Sequence, residues 1–236
     1  MKNFVEAIKS ILMVTFLTLP LFSLGQSDKM CQGYSEFDLP LLERLIEKHK
    51  NQTDKMLLME SYFILLNTTA GLDDEDTFKK YVDEAVDLGD ELMESTDTKA
   101  RAAAYLSSIY GFKIAFSPMM GMFYGPKAGN YSEKAIGLDP EDPVVQLMYG
   151  VNKYNTPSAF GGDIEIAIEY LNQAIQEYET RGEQEQNWKY LHALVWLGIA
   201  YDDNGQPELA QQAYQKSLVY SPNFKWVKLM TDGEEQ

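Results

Sequence analysis

The side chains of this chain that could do chemistry are few and widely separated in the sequence. There are two histidines, His49 and His192, and a single cysteine, Cys31. None of them belongs to an HExxH zinc motif, a serine nucleophile turn, a phosphate-binding glycine loop or a thiol redox motif. Carboxylates are so abundant here that a neighbouring pair indicates nothing specific. The sequence therefore predicts a protein that is not an enzyme and needs no cofactor.

Two further segments contain residue types that bind metals elsewhere. Met119, Met120 and Met122 precede Phe123. Thioethers are soft Cu(I) ligands, but no His or Cys lies nearby, so methionines that fill irregular packing gaps are favoured. An adaptable apolar binding lip is the alternative. The acidic run at 73–76 lacks the alternating ligands and glycine of a calcium loop and favours a helix start, where carboxylates complement the helix dipole. We predict no metal site.

The elements that position these residues are predicted to be helices. Apolar residues recur at i, i+3, i+4 and i+7 over residues 42–49 and 78–88, and the segments 56–66 and 100–116 are also suited to helices. No run alternates between apolar and polar residues as a half-buried strand would. The predicted fold class is all-α.

Residues 191–224 contain the most regular pattern in the chain. Counting from Leu191, positions 4, 7, 8, 11, 20, 24, 27 and 32 are Leu194, Leu197, Gly198, Tyr201, Ala210, Tyr214, Ser217 and Pro222. This pattern resembles the W-x2-L-G-x2-Y … A-x3-F … A-x4-P signature of the tetratricopeptide repeat (TPR) family. Gly198 and Ala210 are small where two antiparallel helices must cross closely.

One such repeat cannot bury its own apolar face, so neighbouring repeats are expected. Ala128, Ala135 and Pro140 keep the spacing of positions 20, 27 and 32, and Gly150 falls at position 8 of a repeat that begins at Pro143. We predict a TPR-like solenoid, an α-α superhelix of about four helix pairs, over residues 38–230. A C-terminal capping helix is predicted at 224–230, followed by a disordered tail at 231–236.

The loop between the two helices of the third pair carries a second resemblance. Residues 155–163 contain the element N-T-P-x-x-F-G-G-D, which resembles that of uncharacterised envelope TPR proteins of Bacteroidota. The resemblance extends over roughly residues 100–230 and implies no particular activity. It is consistent with export, because residues 1–25 have the layout of a Sec-type secretory signal peptide with small residues before Gln26.

The N-terminal prediction therefore has three parts: a signal peptide at 1–25, a flexible leader at 26–37 and a periplasmic or otherwise exported mature protein. The alternative is an uncleaved anchor over residues 4–24. Cys31 is predicted to be a free thiol, with an intermolecular disulfide as the alternative. A lipid anchor on Cys31 is disfavoured because polar residues precede it.

The charge of the chain excludes two classes of partner. Residues 1–25 contain two Lys and one Glu, so the predicted mature chain has 18 basic and 35 acidic residues, a net charge of −17. Nucleic acid and anionic membrane surfaces repel so acidic a domain. We predict neither nucleic-acid binding nor stable membrane insertion after signal cleavage.

The resemblance to TPR proteins implies a partner-binding groove. In that family, positions 2, 5, 9 and 12 of each first helix line the concave face. The corresponding residues here are Val144, Leu147, Val151, Tyr154, His192, Val195, Ile199 and Asp202. An apolar groove suits an amphipathic helix or an extended peptide. We predict a non-catalytic periplasmic scaffold that binds a protein or peptide partner there.

Two alternatives from other classes remain. One is a periplasmic small-molecule carrier that resembles the TPR-like T component of TRAP transporter systems. It would enclose an apolar ligand with two loops, whose candidate residues are Met119, Met120, Met122, Phe123 and Phe160. The other is a structural assembly factor that acts through oligomerisation. A closed apolar cavity would favour the carrier, and an open groove would favour the partner binder.

Overall fold

A computed structural model describes residues 21–231 of the 236-residue chain. Within that range the chain forms eleven α-helices, two short 3-10 helices at Pro118–Met120 and Ser158–Phe160, and no strand. The helices are α1 (Leu21–Glu36), α2 (Leu39–His49), α3 (Lys55–Leu72), α4 (Glu75–Leu92), α5 (Lys99–Phe116), α6 (Gly121–Leu138), α7 (Pro143–Asn155), α8 (Ile164–Thr180), α9 (Trp188–Asp203), α10 (Pro207–Tyr220) and α11 (Lys225–Thr231). The all-α prediction is confirmed.

Eight of these helices form four successive hairpins: α3–α4, α5–α6, α7–α8 and α9–α10. The first helices of the pairs run in the same direction. Arg101 near the start of α5 pairs with Asp142 at the start of α7, with 2.7 Å between Nη2 and Oδ2. At the other end, Tyr154 of α7 donates a hydrogen bond to Asp203 of α9. The turns inside the hairpins therefore all lie along one edge of the superhelix.

Short polar side chains begin the helices. Asp54, Asp74 and Asp163 each accept a hydrogen bond from the backbone of the first helical turn, as N-cap residues do. The acidic run at 73–76 thus forms a helix start, as predicted. Asp73 itself adopts the left-handed conformation that ends α3, with φ of 56°.

The hairpins pack closely because small residues lie at the crossings. A Cβ atom built on Gly198 would lie 2.1 Å from Cε1 of Tyr214, across the α9–α10 hairpin. In the preceding hairpin, a Cβ on Gly150 would lie 2.9 Å from Leu171 and 3.1 Å from the carbonyl oxygen of Ala167. Only glycine therefore fits at position 8 of these two repeats, which is Gly150 in α7 and Gly198 in α9.

The N-terminal prediction needs a correction. Residues 26–37 do not form a flexible leader: α1 continues to Glu36, and Met30, Cys31 and Tyr34 are buried. Their i, i+1, i+4 spacing gives α1 one apolar face, which packs against α2, α3, α9 and α11. Most of the predicted signal peptide (residues 1–20) and of the predicted tail (residues 232–236) lies outside the described residues. None of the helices described is both long enough and apolar enough to cross a membrane.

Candidate functional site

The predicted groove residues come together in space, but most of them belong to the core. The buried members are Val144, Leu147, Val151, His192 and Val195. They lie on the inner faces of α7 and α9, and those helices pack against each other. The expectation of an open groove over these five positions is therefore corrected, because none of them offers a surface to a partner in this structure.

The superhelix curls tightly enough for its first and last pairs to touch. The ring of Phe63 in α3 lies 5.4 Å from Trp188 and 5.5 Å from His192 in α9, measured between centroids. One turn away, Lys189 Nζ lies 2.9 and 2.8 Å from the two carboxylate oxygens of Glu60. These side chains are only 21% and 12% exposed, so the pair is largely removed from water.

The remaining space on the inner face is filled by α1. Tyr34 is fully buried, and its hydroxyl lies 2.7 Å from Nδ1 of His192. Its ring packs against Trp188, Phe224 and Trp226, with centroid separations of 6.0, 5.4 and 6.2 Å. The sequence signal for this contact was the apolar face of α1, which the polar residues 26–29 obscured.

The protonation of His192 follows from its two partners. The Nε1–H of Trp196 donates to Nε2 of His192 over 3.1 Å. Since an indole N–H can only donate, Nε2 carries no proton, and the neutral ring holds its proton on Nδ1 and donates it to the Tyr34 oxygen. Burial lowers the pKa of His192 to about 3. His192 is thus a neutral hydrogen-bonding group of the core and not an acid–base catalyst.

Three predicted groove residues lie at the rim, near the ends of α7 and α9. Tyr154 and Ile199 are half-buried, and Asp202 is exposed. Tyr154 packs against Trp196 at 5.5 Å. Asp202 accepts a hydrogen bond of 2.9 Å from the Tyr214 hydroxyl. These contacts join α7 to α9 and α9 to α10 at this edge of the hairpins.

The loop candidates, by contrast, are exposed. Met119 is 92%, Met122 80%, Phe123 66% and Phe160 82% exposed, whereas Met120 is half-buried. The expectation that the methionines fill a packing gap is wrong for Met119 and Met122. Both loops join the first to the second helix of successive pairs, so they lie on the same edge of the superhelix. We call Met119, Met122, Phe123 and Phe160 the tip surface.

Aromatic side chains lie beneath the first tip, the α5–α6 junction that carries Met119. The short helix Pro118–Met120 follows α5, and α6 begins directly at Gly121. Below it, Lys113 Nζ lies 5.9 and 5.6 Å from the ring centroids of Tyr110 and Tyr124, within cation–π distance. The same Nζ pairs with Asp83 Oδ1 at 3.1 Å. These contacts fix the end of α5 beneath the exposed methionines.

The second tip, the α7–α8 loop that carries Phe160, is fixed by its backbone conformation. Gly161 has φ of 92°, a region that favours glycine. A Cβ on Gly162 would lie 1.6 Å from the carbonyl oxygen of Thr156, so only glycine fits. Asp163 Oδ1 then accepts from the backbone of Glu165 and Ile166 at 2.9 and 3.1 Å. The loop therefore presents Phe160 from a fixed backbone.

A serine–histidine pair elsewhere has hydrogen-bonding geometry but no access. Ser61 Oγ lies 2.7 Å from His49 Nδ1 and donates to the Leu57 carbonyl over 2.8 Å. Both side chains are fully buried between α2 and α3, and burial lowers the pKa of His49. A substrate could reach neither of them. Within the described residues, no group of three or more His, Cys, Asp or Glu side chains is arranged to hold a metal ion.

Comparisons with known proteins agree with this architecture. Residues 191–224 match the family model described as tetratricopeptide repeat. Among solved structures, the chain is similar to a thermophilic TPR protein of Thermus thermophilus. That match has 20% identity and a TM-score of 0.50, and covers 90% of this chain and 92% of that chain. No curated protein sequence gives a significant match. The predicted TPR-like solenoid with a capping helix is confirmed as the fold. The likeness to Bacteroidota envelope proteins stays a prediction.

Proposed function

We propose that this chain is a non-catalytic, exported interaction scaffold that docks a protein partner on the tip surface. The observation that carries this proposal is a set of four large apolar side chains exposed at two successive helix junctions on one edge: Met119, Met122 and Phe123 where α5 meets α6, and Phe160 between α7 and α8. Single exposed apolar residues are ordinary, but a group of them on one surface marks an interaction site. Methionine and aromatic residues are enriched at protein interfaces.

The fixed backbone of the second tip supports binding by a preformed surface. A partner that covers Phe160 does not have to order the loop, because Gly161, Gly162 and Asp163 already fix its conformation. Binding therefore loses less conformational entropy than it would with a mobile loop. Phe160 is accordingly the expected anchor residue, and Met119, Met122 and Phe123 adapt to the partner's shape.

The charge of the chain indicates the chemistry around the anchor. Its formal net charge is −16. A partner with basic residues around an apolar patch is attracted over distance and is selected over acidic proteins. We therefore expect binding to weaken as ionic strength rises, mainly through slower association.

The carrier alternative is less well supported. A carrier would fold Met119, Met122, Phe123 and Phe160 around an apolar ligand, yet these side chains face solvent, and the inner face is filled by side chains of the chain itself. The assembly-factor alternative predicts that the tip surface binds a second copy of the chain. That possibility is an outcome of the experiment below.

Site-specific photo-crosslinking tests the docking surface. A photoreactive phenylalanine analogue replaces Phe123 or Phe160, and Val219 serves as the matched control. Val219 is 74% exposed and apolar but lies at the end of α10, on the opposite edge. After irradiation in envelope extract, we expect the same adduct from positions 123 and 160 and none from 219. Equal adducts from all three positions, or none from the tips, would refute the proposal, and a dimer of the chain itself would favour the assembly factor.

Export is a separate part of the proposal and has its own test. The charged start, the apolar stretch of residues 11–24 and the small residues before Gln26 support cleavage after Gly25. Intact-mass measurement of protein from the envelope fraction should give a chain that begins at Gln26. Recovery of the uncleaved chain in the membrane fraction would instead support the anchor.

A further inference from the structure

The methionines of the described residues fall into two groups that differ in their access to water. The side chains of Met119 and Met122 are 92% and 80% exposed, and both belong to the tip surface. The other methionines of residues 21–231 are buried or half-buried: Met30, Met56, Met59, Met93, Met120, Met148 and Met230. Within this range, the thioethers that a dissolved reagent reaches freely are therefore concentrated on the proposed docking surface.

The two exposed methionines lie three residues apart at the junction of α5 and α6. Met119 belongs to the short helix Pro118–Met120, and Met122 lies in the first turn of α6. Helical residues three apart are neighbours on one face, and Phe123 follows directly. A chemical change at these two sulfurs therefore changes the character of the whole first tip.

We propose that Met119 and Met122 form an oxidation site that controls docking on the tip surface, with hydrogen peroxide or a related two-electron oxidant as the co-reactant. The regulatory part of this inference rests on the proposed function. A lone pair of each thioether sulfur attacks a peroxide oxygen, and the O–O bond breaks as the S–O bond forms. The departing hydroxide takes the remaining proton and leaves as water. Each sulfur loses two electrons and becomes a sulfoxide.

The sulfoxide differs from the thioether in the property that docking uses. It is polar and hydrogen-bonded to water, so an apolar partner surface that covers it must remove that water. Full burial of one methionine side chain is equivalent to about 10- to 100-fold in affinity. Oxidation of both sulfurs should therefore weaken docking by at least about 10-fold. Phe160, which peroxide does not attack, keeps part of the contact.

The fold itself should tolerate this oxidation. Met119 and Met122 face water in the folded chain as they do in the unfolded chain, so the free energy of unfolding stays nearly constant. Oxidation of Met59, which is 0% exposed, would instead place a polar group in the core. Cys31 does not compete for the oxidant, because burial raises the pKa of its thiol to about 12 and the thiolate is the reactive form.

Mass spectrometry of the full chain after brief treatment with hydrogen peroxide tests the site without any partner. Among the methionines of the described residues, peptide mapping should place the first oxygen atoms on Met119 and Met122. Circular dichroism at 222 nm and the urea midpoint should then be unchanged. Retention on a hydrophobic-interaction column should decrease, because two exposed apolar side chains have become polar. Oxygen that appears first on Met59 or Met148, or helicity lost with oxidation of the tip, would overturn the proposal.

Photo-crosslinking from position 160 measures the effect of oxidation on docking. At a chain concentration well below saturation, the adduct yield in envelope extract should fall by at least about 10-fold when the purified chain is oxidised before mixing. Methionine sulfoxide reductases A and B with a dithiol should restore the yield. In that reaction the sulfoxide oxygen leaves as water while the two thiols form a disulfide.

Matched variants identify the sulfurs responsible, and each is compared with its own untreated sample. Met119→Leu combined with Met122→Leu removes both sulfurs but keeps apolar side chains, so peroxide should no longer lower the adduct yield. Met120→Leu is the control, since Met120 is half-buried and lies outside the tip surface. Its adduct should still be lost after treatment. A double leucine variant as sensitive to peroxide as the unaltered chain would overturn the proposal.

These readouts separate failure of the oxidation site from failure of the docking surface. An adduct whose yield is unchanged after mapped oxidation of Met119 and Met122 overturns the regulatory role and leaves the docking surface in place. An untreated chain that gives no adduct removes docking and its regulation together. Peptide mapping and column retention then decide the oxidation site by themselves.

Discussion

Replacing Gly198 with alanine tests whether close helix crossing determines the stability of the repeat. The added Cβ would lie 2.1 Å from Cε1 and 2.6 Å from Cδ1 of Tyr214. The Tyr214 ring cannot simply turn aside, because its hydroxyl is bonded to Asp202 at 2.9 Å. The α9–α10 hairpin must therefore open, or this hydrogen bond must break.

The expected magnitude combines opposing effects. Alanine is better than glycine in a helix by about 1 kcal/mol. Forcing an extra methyl group into a packed crossing costs about 1–3 kcal/mol, and loss of the Tyr214 hydrogen bond costs about 1 kcal/mol more. Crowding exceeds the helix preference, so Gly198→Ala should lower the free energy of unfolding by roughly 1–3 kcal/mol.

Gly111→Ala is the matched control, since Gly111 also lies inside a helix but a Cβ there meets nothing within 4 Å. It should raise the free energy of unfolding by about 0.5–1 kcal/mol. Urea unfolding followed by circular dichroism measures both, and each kcal/mol corresponds to about 2–4 °C in Tm for a chain of this length. Equal free energies of unfolding for Gly198→Ala and Gly111→Ala would show that the α9–α10 crossing is not crowded.

Three further predictions concern charge and capping. Because burial lowers the pKa of His192 to about 3, the unfolded chain binds its proton more readily. The contribution of His192 to the free energy of unfolding should therefore be fully present above pH 6.5. It should fall by up to about 1.4 kcal/mol per pH unit as the pH decreases towards 3. In urea unfolding, His192→Gln should reduce the pH dependence of the free energy of unfolding between pH 6.5 and 5. His49→Gln should leave the contribution of His192 to that pH dependence in place. Asp163→Ala should lower the free energy of unfolding by about 1 kcal/mol, because the helix loses its N-cap. Asp163→Asn should keep most of that stability in the same assay, because asparagine can also cap a helix. Lys189→Ala leaves a mostly buried carboxylate unpaired and should lower Tm by several degrees, through a loss of about 2–4 kcal/mol. The control Lys55→Ala, in a pair about half exposed, should cost under about 1 kcal/mol.

The parts of the fold that could be predicted are those set by neighbours in sequence. The hairpin of α9 and α10 follows from Gly198, Ala210 and the turn before Pro207, all within one 34-residue period. The start of α4 follows from carboxylates that cap and complement a helix. The two exposed loops can be recognised in the sequence because the segments around Met119 and Phe160 interrupt the repeat pattern. Their degree of exposure was not predictable, since a loop methionine is equally suited to packing and to binding.

The inner face could not be predicted because it depends on the curvature of the whole superhelix. Positions 2 and 5 of a repeat line an open groove only if successive pairs rotate gently enough to leave one. Here Lys189 and Glu60, 129 residues apart, form an ion pair, and Tyr34 meets His192 across 158 residues. No periodic pattern encodes contacts at such separations.

Curvature also explains why the same residue types have a different role here. In an open superhelix Val195 and His192 would face a partner. In this closed superhelix the same apolar faces pack against α3 and α1. Their burial therefore stabilises the fold, whereas in an open superhelix it would stabilise a complex with a partner. The docking surface that we propose is therefore one that no described helix covers, because the tips of the hairpins stay exposed however tightly the pairs curl.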